Sequence, residues 1–287
     1  MTLFICGCYE RSLLGMKFSN DSLTNVFQHV THLDSVKSIS CGSKFFASGS
    51  SDEIIHVFDV KKLREVTSLF SHSSTVSSLA FTDKDSFLVS GDRDGCLILT
   101  RTSDWSFIKQ IKLDGGIASI SMHPSGSFCV VLTDKKEFHL VDLKKFTITS
   151  TQPLSGIPIS SKFSPSGSQL VITTMEDVIL VDLDSSVQRR IGLRGSAKEL
   201  EIVGKDIFIS LNQKLIKCSL KDFENLLNSQ SIEFEQRIRG ISIVKNNNNN
   251  YIGIAGAQGK VSIMTTNLEP VCSEDLSCRL TCCTSKF

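Results

Sequence analysis

Short apolar runs alternate with turn-forming polar residues along nearly the whole chain. In the segment FFASGSSDEIIHVFDVKK, residues 45–48 and 54–59 are mostly apolar, and the turn cluster Gly-Ser-Ser-Asp separates them. Apolar runs that are bounded by Gly, Ser and Asp predict strands joined by tight turns. This segment is therefore predicted to form two neighbouring antiparallel strands.

The same pattern recurs with a nearly constant spacing. The position that ends the longer strand recurs at Asp59, Arg101, Asp142, Asp182, Leu220 and Thr266, in steps of 42, 41, 40, 38 and 46 residues. A second marker, the turns at residues 122–127 and 163–168, repeats after 41 residues. Repeats of about 40–45 residues with four strands each are typical of β-propeller blades. The period predicts an all-β, seven-bladed propeller that occupies residues 1–287 as a single domain.

The two ends of the chain are predicted to share one blade. Residues 2–30 hold three apolar segments but lack a fourth, whereas residues 279–283 form an apolar segment without neighbours. Pairing the two would close the ring and remove exposed sheet edges. The six other blades are expected to begin near residues 36, 76, 117, 159, 199 and 238.

Charge and cysteine content narrow the class of protein. The net charge is +1, with 31 basic and 30 acidic residues, which argues against a surface that binds polyanions everywhere. Neither a signal peptide nor an apolar run of about 18 residues is evident, so the sequence predicts neither secretion nor membrane insertion. Several of the ten cysteines lie in apolar runs, where free thiols behave as small buried hydrophobes.

The sequence predicts no enzyme active site, no metal and no cofactor. Motifs for phosphate loops, metalloproteases and serine hydrolases are absent from it. The five cysteines near the two ends are candidate metal ligands, but buried thiols are the favoured interpretation. They are Cys6, Cys8, Cys278, Cys282 and Cys283. An enzyme that uses the central channel is a weaker alternative, because the first two inner strands offer no ring of acids or histidines.

Two histidine–aspartate pairs are predicted to hold blades together. His32 and His72 precede inner strands, and Asp52 and Asp94 lie in turns between the second and third strands. A structural hydrogen bond is favoured over catalysis for both pairs, since no nucleophile recurs beside them. Separately, residues 246–250 are five asparagines, which predict a solvated, mobile loop.

Basic residues recur at the turns between third and fourth strands, which share one face of a propeller. They are Lys61, Lys62, Arg64, Arg101, Lys144, Lys145 and Lys221. Such a face is a candidate interaction surface for protein or for phosphate backbone. Asp59, Asp142 and Asp182 share these turns, which favours ordinary solvated loop charge over phosphate binding.

Three segments together resemble one family of WD-repeat proteins. They are Gly-Cys-Tyr-Glu at residues 7–10, the block at residues 48–62, and Arg-Leu-Thr-Cys at residues 279–282. The family is that of the p21-activated-kinase-interacting protein, with its fungal relative in large-ribosomal-subunit assembly. The histidine–aspartate pairs also resemble the hydrogen-bonded networks of WD repeats, although Phe58 takes the place of the usual tryptophan.

The resemblance implies a non-enzymatic scaffold in biogenesis of the large (60S) ribosomal subunit, located in the nucleus or nucleolus and also in the cytoplasm. The partners implied are pre-ribosomal assembly factors, with at most weak or indirect contact to ribosomal RNA. No membrane partner is expected, and the protein is expected to be monomeric outside its complexes. The alternative is a signalling adaptor that binds and restrains a p21-activated protein kinase.

Overall fold

The structure is a computed structural model, and it describes residues 2–185, 187–193, 195–246 and 249–286. The strands of the first three sheets are, in chain order, β1 (Thr2–Cys8), β2 (Ser12–Ser19), β3 (Ser22–Val30), β4 (Val36–Cys41), β5 (Phe45–Ser50), β6 (Ile55–Asp59), β7 (Arg64–Leu69), β8 (Val76–Phe81), β9 (Phe87–Asp92), β10 (Cys96–Arg101) and β11 (Phe107–Lys112). A short 3₁₀ turn, Asp83–Asp85, lies between β8 and β9.

The remaining strands follow the same four-strand rhythm. They are β12 (Ile117–Met122), β13 (Phe128–Thr133), β14 (Glu137–Asp142), β15 (Thr147–Pro153), β16 (Pro158–Phe163), β17 (Gln169–Thr174), β18 (Asp177–Asp182), β19 (Gln188–Gly192), β20 (Ala197–Val203), β21 (Asp206–Leu211), β22 (Lys214–Ser219), β23 (Gln230–Glu233), β24 (Ile238–Asn246), β25 (Asn249–Gly256), β26 (Lys260–Thr265), β27 (Pro270–Asp275) and β28 (Leu280–Lys286). A 3₁₀ helix at Leu220–Asn228 connects β22 to β23.

The strands form seven four-stranded antiparallel sheets, which confirms the predicted seven-bladed propeller. Six sheets are consecutive meanders, and their first strands, β4, β8, β12, β16, β20 and β24, lie innermost. Each innermost strand contacts the innermost strand of the next sheet, and β28 completes the circle between β24 and β4. Their loops therefore emerge at the two faces of a closed ring.

The closing blade has the order β28-β1-β2-β3, so both ends of the chain share one sheet as predicted. Its inner strand starts at Leu280 and extends to Lys286, three residues beyond the predicted end. Cys6 faces Cys283 and Gly7 faces Cys282 across this pair, and a bulge follows Gly7. The pair β28–β1 is the contact that turns an open row of blades into a ring.

Each blade buries its middle strands and leaves its outer strand exposed. Every residue of β1 is buried, whereas six of the seven residues of β15 are exposed. Both faces of a middle strand pack on neighbouring blades, so these strands are apolar on both sides. Between the closing blade and the next one, Phe46 stacks on Phe58 with ring centroids 4.7 Å apart, and Phe27 stacks on Phe46 at 5.6 Å. In this one blade, Phe58 thus lies at the position where the WD repeats that the sequence resembles carry tryptophan.

The prediction of a loop at residues 246–250 is wrong for the residues that the structure describes. Asn246 pairs with Asn249, and Lys245 pairs with Asn250, in an extension of the β24–β25 hairpin. Strand pairing uses backbone N–H and C=O groups, so a polar run can continue a hairpin that a buried strand has started. Asn247 and Asn248 lie outside the described residues.

In the described part of the chain, no helix is long and apolar enough to cross a membrane.

Candidate functional sites: blade networks, turn face and central channel

His32 connects the loop before β4 to the neighbouring hairpin. Its Nδ1 lies 2.9 Å from Asp52 Oδ2, and its Nε2 lies 2.8 Å from Ser48 Oγ. The carboxylate can only accept, so Nδ1 donates to Asp52 and Nε2 accepts from the serine hydroxyl. Both ring nitrogens of this buried histidine are thereby satisfied within the fold.

Asp52 is held ionised by the same network. Its carboxylate also accepts the backbone N–H groups of Leu33 at 2.8 Å and Ile54 at 3.0 Å. Burial raises the pKa of Asp52, but these hydrogen bonds and His32 outweigh burial and lower it. Burial lowers the pKa of His32 more than the Asp52 carboxylate raises it, so the imidazole is neutral near pH 7.

In the next blade, the partner of His72 is Asp92 rather than the predicted Asp94. His72 Nδ1 lies 2.7 Å from Asp92 Oδ2, and His72 Nε2 lies 2.8 Å from Ser90 Oγ. Asp94 is exposed, and only its backbone N–H joins the network, by donating to Asp92 Oδ1 at 3.0 Å. The prediction for Asp94 is therefore corrected: the buried carboxylate lies two residues earlier, at the end of β9.

The predicted basic residues all lie at connections between third and fourth strands or at the strand ends beside them, and all are exposed. Lys61, Lys62 and Arg64 follow β6, Arg101 ends β10, Lys144 and Lys145 follow β14, and Lys221 lies in the 3₁₀ helix after β22. The structure therefore places these seven side chains at equivalent positions of four blades. We call this surface the basic turn face.

Acidic side chains organise the same turns. Asp59 Oδ1 accepts the backbone N–H groups of Lys61 at 2.8 Å and Lys62 at 2.7 Å. Asp142 Oδ1 accepts those of Lys144 at 2.8 Å and Lys145 at 3.0 Å. These hydrogen bonds lower the pKa of both aspartates. Each turn thus presents two lysines around an ionised carboxylate, which gives local charge pairs rather than a continuous positive field.

The inner strands surround a central channel with a cavity volume of about 410 Å³. Three charged side chains from adjacent blades meet in it. Lys162 Nζ lies 2.9 Å from Glu201 Oε1, and Ser160 Oγ lies 3.4 Å from Glu199 Oε2. Burial raises the pKa of Glu199, Glu201 adds to the effect and Lys162 opposes it, with a result of about 7. Glu199 therefore changes charge near neutral pH.

The sequence pattern could have indicated this channel cluster. Lys162 and Glu201 are 39 residues apart, as are Ser160 and Glu199, so each pair occupies equivalent positions of β16 and β20. Polar side chains that recur with the blade period on inner strands must face one another across the blade boundary. The interpretation of the channel used only the first two inner strands, and these carry no charged residue at the two positions: β4 has serines, and β8 has a serine and an alanine.

Two further histidines were also missed. His56 and His139 each lie three residues before the aspartate that ends the third strand of a blade. His56 Nδ1 lies 2.7 Å from Glu65 Oε1, and His139 Nδ1 lies 2.9 Å from Thr151 Oγ1. In both, the buried Nε2 has no hydrogen-bond partner among the described residues. Their common spacing from Asp59 and Asp142 is the signal that could have found them.

Cysteine thiols come together at the closing blade. Cys8 Sγ lies 3.4 Å from Cys278 Sγ, although the two residues are 270 positions apart in sequence. All ten cysteines are free thiols. In the described residues, the side chains whose donor atoms converge closely enough to share an ion are instead His32, Asp52 and His56, and His72, Asp92 and Cys96. His32 and His72 already use both ring nitrogens in hydrogen bonds within the fold.

Comparison with known families identifies the repeat. Residues 20–59 and 63–100 match the model of the WD domain, G-beta repeat. The two matched ranges cover β3, the outermost strand of the closing blade, and most of the two blades after it. These two segments are therefore similar to WD repeats, and the other blades share their four-strand architecture.

Curated relatives agree with the resemblance seen in the sequence. The chain is 28% identical over 304 residues to "p21-activated protein kinase-interacting protein 1-like" of Gallus gallus, which covers 97% of this chain and 78% of the relative. It is also 30% identical over 195 residues to "p21-activated protein kinase-interacting protein 1" of Homo sapiens. That match covers 63% of this chain and 49% of the relative. "Protein MAK11" of Saccharomyces cerevisiae is 23% identical over 153 residues, and that match covers 44% of this chain and 37% of the yeast protein.

Proposed function

We propose that this chain, a seven-bladed β-propeller that is similar over nearly its whole length to p21-activated-kinase-interacting proteins, is a non-enzymatic assembly scaffold for the large ribosomal subunit. The observation that carries the proposal is the similarity over 97% of the chain. The ribosomal part rests on the family resemblance of the sequence, together with the shorter match to the yeast protein.

The side-chain chemistry supports a binding role. The buried histidines His32 and His72 are engaged in hydrogen bonds that connect strands, and neither is free to move a proton to a bound molecule. The channel cluster contains a lysine already paired with Glu201. Because these interior groups are engaged within the fold, the loops and turns are the surfaces available to partners. Scaffolds bind through exposed loop and turn residues.

We propose that the basic turn face contacts the precursor particle. Lysine pairs at two turns, 61–62 and 144–145, have the same geometry around an aspartate, so they form a matched pair of sites. The proposal places the protein in the nucleolus, where such particles are made. Its contact with ribosomal RNA is proposed to be weak, because each turn also carries an ionised carboxylate.

The test is sedimentation of a cell extract on a sucrose gradient at low salt, with the tagged chain followed by blotting. We expect the chain to migrate with precursors of the large subunit. Two double variants, K61E/K62E and K144E/K145E, change the charge equally at equivalent turns. If one turn makes the contact, only one double variant will leave the particle; equal loss in both would indicate a general electrostatic attraction instead.

The second candidate is an adaptor that binds and restrains a p21-activated protein kinase. It is favoured by the names of the animal relatives. It predicts direct binding between the purified chain and the purified kinase at micromolar concentration. Absence of binding under those conditions, while the chain sediments with precursor particles, would eliminate the adaptor role for this protein.

A further inference from the structure

Cys8 and Cys278 lie on opposite sides of the contact that closes the ring. Cys8 ends β1, and Cys278 lies two residues before β28. Their Sγ atoms are 3.4 Å apart, so a movement of less than about 1.5 Å would bring them to the disulfide bond length. No other pair of thiols in the described residues forms a hydrogen-bonded contact.

The segment around Cys278 is fixed by contacts on both sides. The backbone N–H of Arg279 donates to Glu10 Oε2 at 3.1 Å, and the backbone N–H of Tyr9 donates to the Arg279 carbonyl at 2.8 Å. The Arg279 side chain also donates to Glu10 Oε1 at 2.7 Å and lies over the ring of Tyr9. The residue that follows each cysteine is thus tied to the other strand, which keeps the two thiols facing each other.

The two thiols differ in accessibility and in acidity. Cys8 is buried, whereas Cys278 is partly exposed and lines a surface cavity of about 340 Å³ with Glu10, Asp275 and Ser277. A hydrogen bond from the Cys8 thiol lowers the pKa of Cys278, although burial and the Glu10 and Asp275 carboxylates oppose it. The same contact, together with burial, raises the pKa of Cys8. Cys278 is therefore the thiol that ionises and meets reagents from solvent.

We propose that Cys8 and Cys278 form a reversible disulfide under peroxide, and that this bond fastens the closing blade. The Cys278 thiolate attacks one oxygen of hydrogen peroxide, the O–O bond breaks, and the sulfur becomes a sulfenic acid while the other oxygen leaves as water after protonation. The Cys8 sulfur then attacks the Cys278 sulfur, the S–O bond breaks, and the oxygen leaves with the Cys8 proton as a second water. A dithiol reductant restores both thiols.

The bond would act on the whole ring. It would cross-link positions 8 and 278, which lie near opposite ends of the chain, and so would restrict the unfolded chain strongly. It would also prevent β28 from separating from β1. The consequence for a scaffold is a propeller whose closing contact becomes covalent under oxidative conditions.

The test uses the purified full chain, treated with about one to five equivalents of hydrogen peroxide, followed by alkylation and peptide mass spectrometry. We expect a Cys8–Cys278 cross-linked peptide as the first disulfide product. The Tm should rise by on the order of 5–10 °C and return after treatment with dithiothreitol.

The variants isolate the pair. C278S should abolish both the cross-link and the shift in Tm, whereas C272S, which removes another partly exposed thiol from a neighbouring strand, should retain them. Oxidation of Cys278 only to the sulfinic acid, an earlier disulfide elsewhere, or a cross-link without a change in Tm would overturn the proposal. The mass-spectrometric result on the unaltered chain decides the chemistry even where a variant is unstable.

Discussion

The position of the aspartate that pairs with His32 or His72 depends on the length of the connection between the first two strands of the blade. His32 and His72 both lie four residues before an inner strand, and both bond an aspartate 20 residues further on. The connection from β8 to β9 is two residues longer than that from β4 to β5. The aspartate 20 residues after the histidine therefore lies in the turn after β5 in one blade, at Asp52, and at the end of β9 in the next blade, at Asp92.

The substitution Asp92→Asn should lower the free energy of unfolding by about 1–3 kcal/mol, because it weakens a buried charge-assisted hydrogen bond to His72. The matched substitution Asp94→Asn removes the same charge from an exposed position and should change the free energy by less than about 0.5 kcal/mol. Urea denaturation of both variants checks this. A larger effect from Asp94→Asn than from Asp92→Asn would contradict the observed network.

Glu199 should make stability depend on pH near neutrality. In the folded protein its pKa is raised from 4.5 to about 7, so the folded chain holds a proton that the unfolded chain releases between these values. The contribution of Glu199 to the free energy of unfolding is thus fully present below about pH 4.5 and is lost as the pH rises to about 7. Glu199→Gln, which keeps the side chain neutral, should gain stability over the unaltered chain progressively across this range.

The measurement is the difference in unfolding free energy between Glu199→Gln and the unaltered chain at pH 5 and pH 8. Taking the difference cancels the contributions of carboxylates such as Asp52. The pKa of Asp52 is lowered, so its contribution to stability is lost only at acidic pH. A difference that is the same at both pH values would mean that Glu199 is ionised throughout.

Much of the residue-level chemistry follows from the sequence, but its partners in space do not. His32 and Asp52 can be nominated from their positions in one repeat. The Lys162–Glu201 pair spans two blades, and its members lie 39 residues apart, so it becomes visible only when inner strands are aligned with each other. Asp92 follows His72 by 20 residues, as Asp52 follows His32, so this spacing could have selected it, whereas a position in the turn favoured Asp94.

At the scale of elements, β28 is the strand on which closure depends. Leu280 is 2% exposed and packs in the cluster that contains Phe4, Cys8 and Leu14 of the closing blade. The substitution Leu280→Ala should lower the free energy of unfolding by about 2–4 kcal/mol, because it leaves a cavity at the β28–β1 contact. Circular dichroism during denaturation measures this change.

The control for that variant is Leu33→Ala. Leu33 is 75% exposed in the loop before β4, so its truncation should change stability by less than about 0.5 kcal/mol. Equal effects of the two substitutions would mean that the two ends of the chain do not close the ring in solution.

The repeat period predicts the strands well, whereas the composition of the asparagine run at residues 246–250 predicts its structure poorly. The inner strands begin within two residues of the predicted positions, because apolar content and turn residues mark every blade. The asparagine run misleads because side-chain polarity indicates exposure, not the absence of strand pairing. Asn246, Asn249 and Asn250 are exposed or partly exposed and still extend the hairpin.

At the scale of the whole molecule, seven blades form a ring with two loop-bearing faces and a narrow polar channel. One face presents lysine pairs at equivalent turns, each around an ionised aspartate, which suits contacts with partners of mixed charge. Nothing in a propeller fold by itself selects a partner, since the same architecture hosts many functions. The proposed role therefore depends on relatives and on the surface rather than on the fold.

The central claim is that this propeller travels with precursors of the large ribosomal subunit, and gradient sedimentation of the unaltered, tagged chain tests it most directly. We predict that at low salt most of the chain migrates with particles containing large-subunit precursor RNA, and that high salt releases it to the top of the gradient. Migration only as a free protein at low salt would contradict the assembly role and leave the kinase adaptor as the better account.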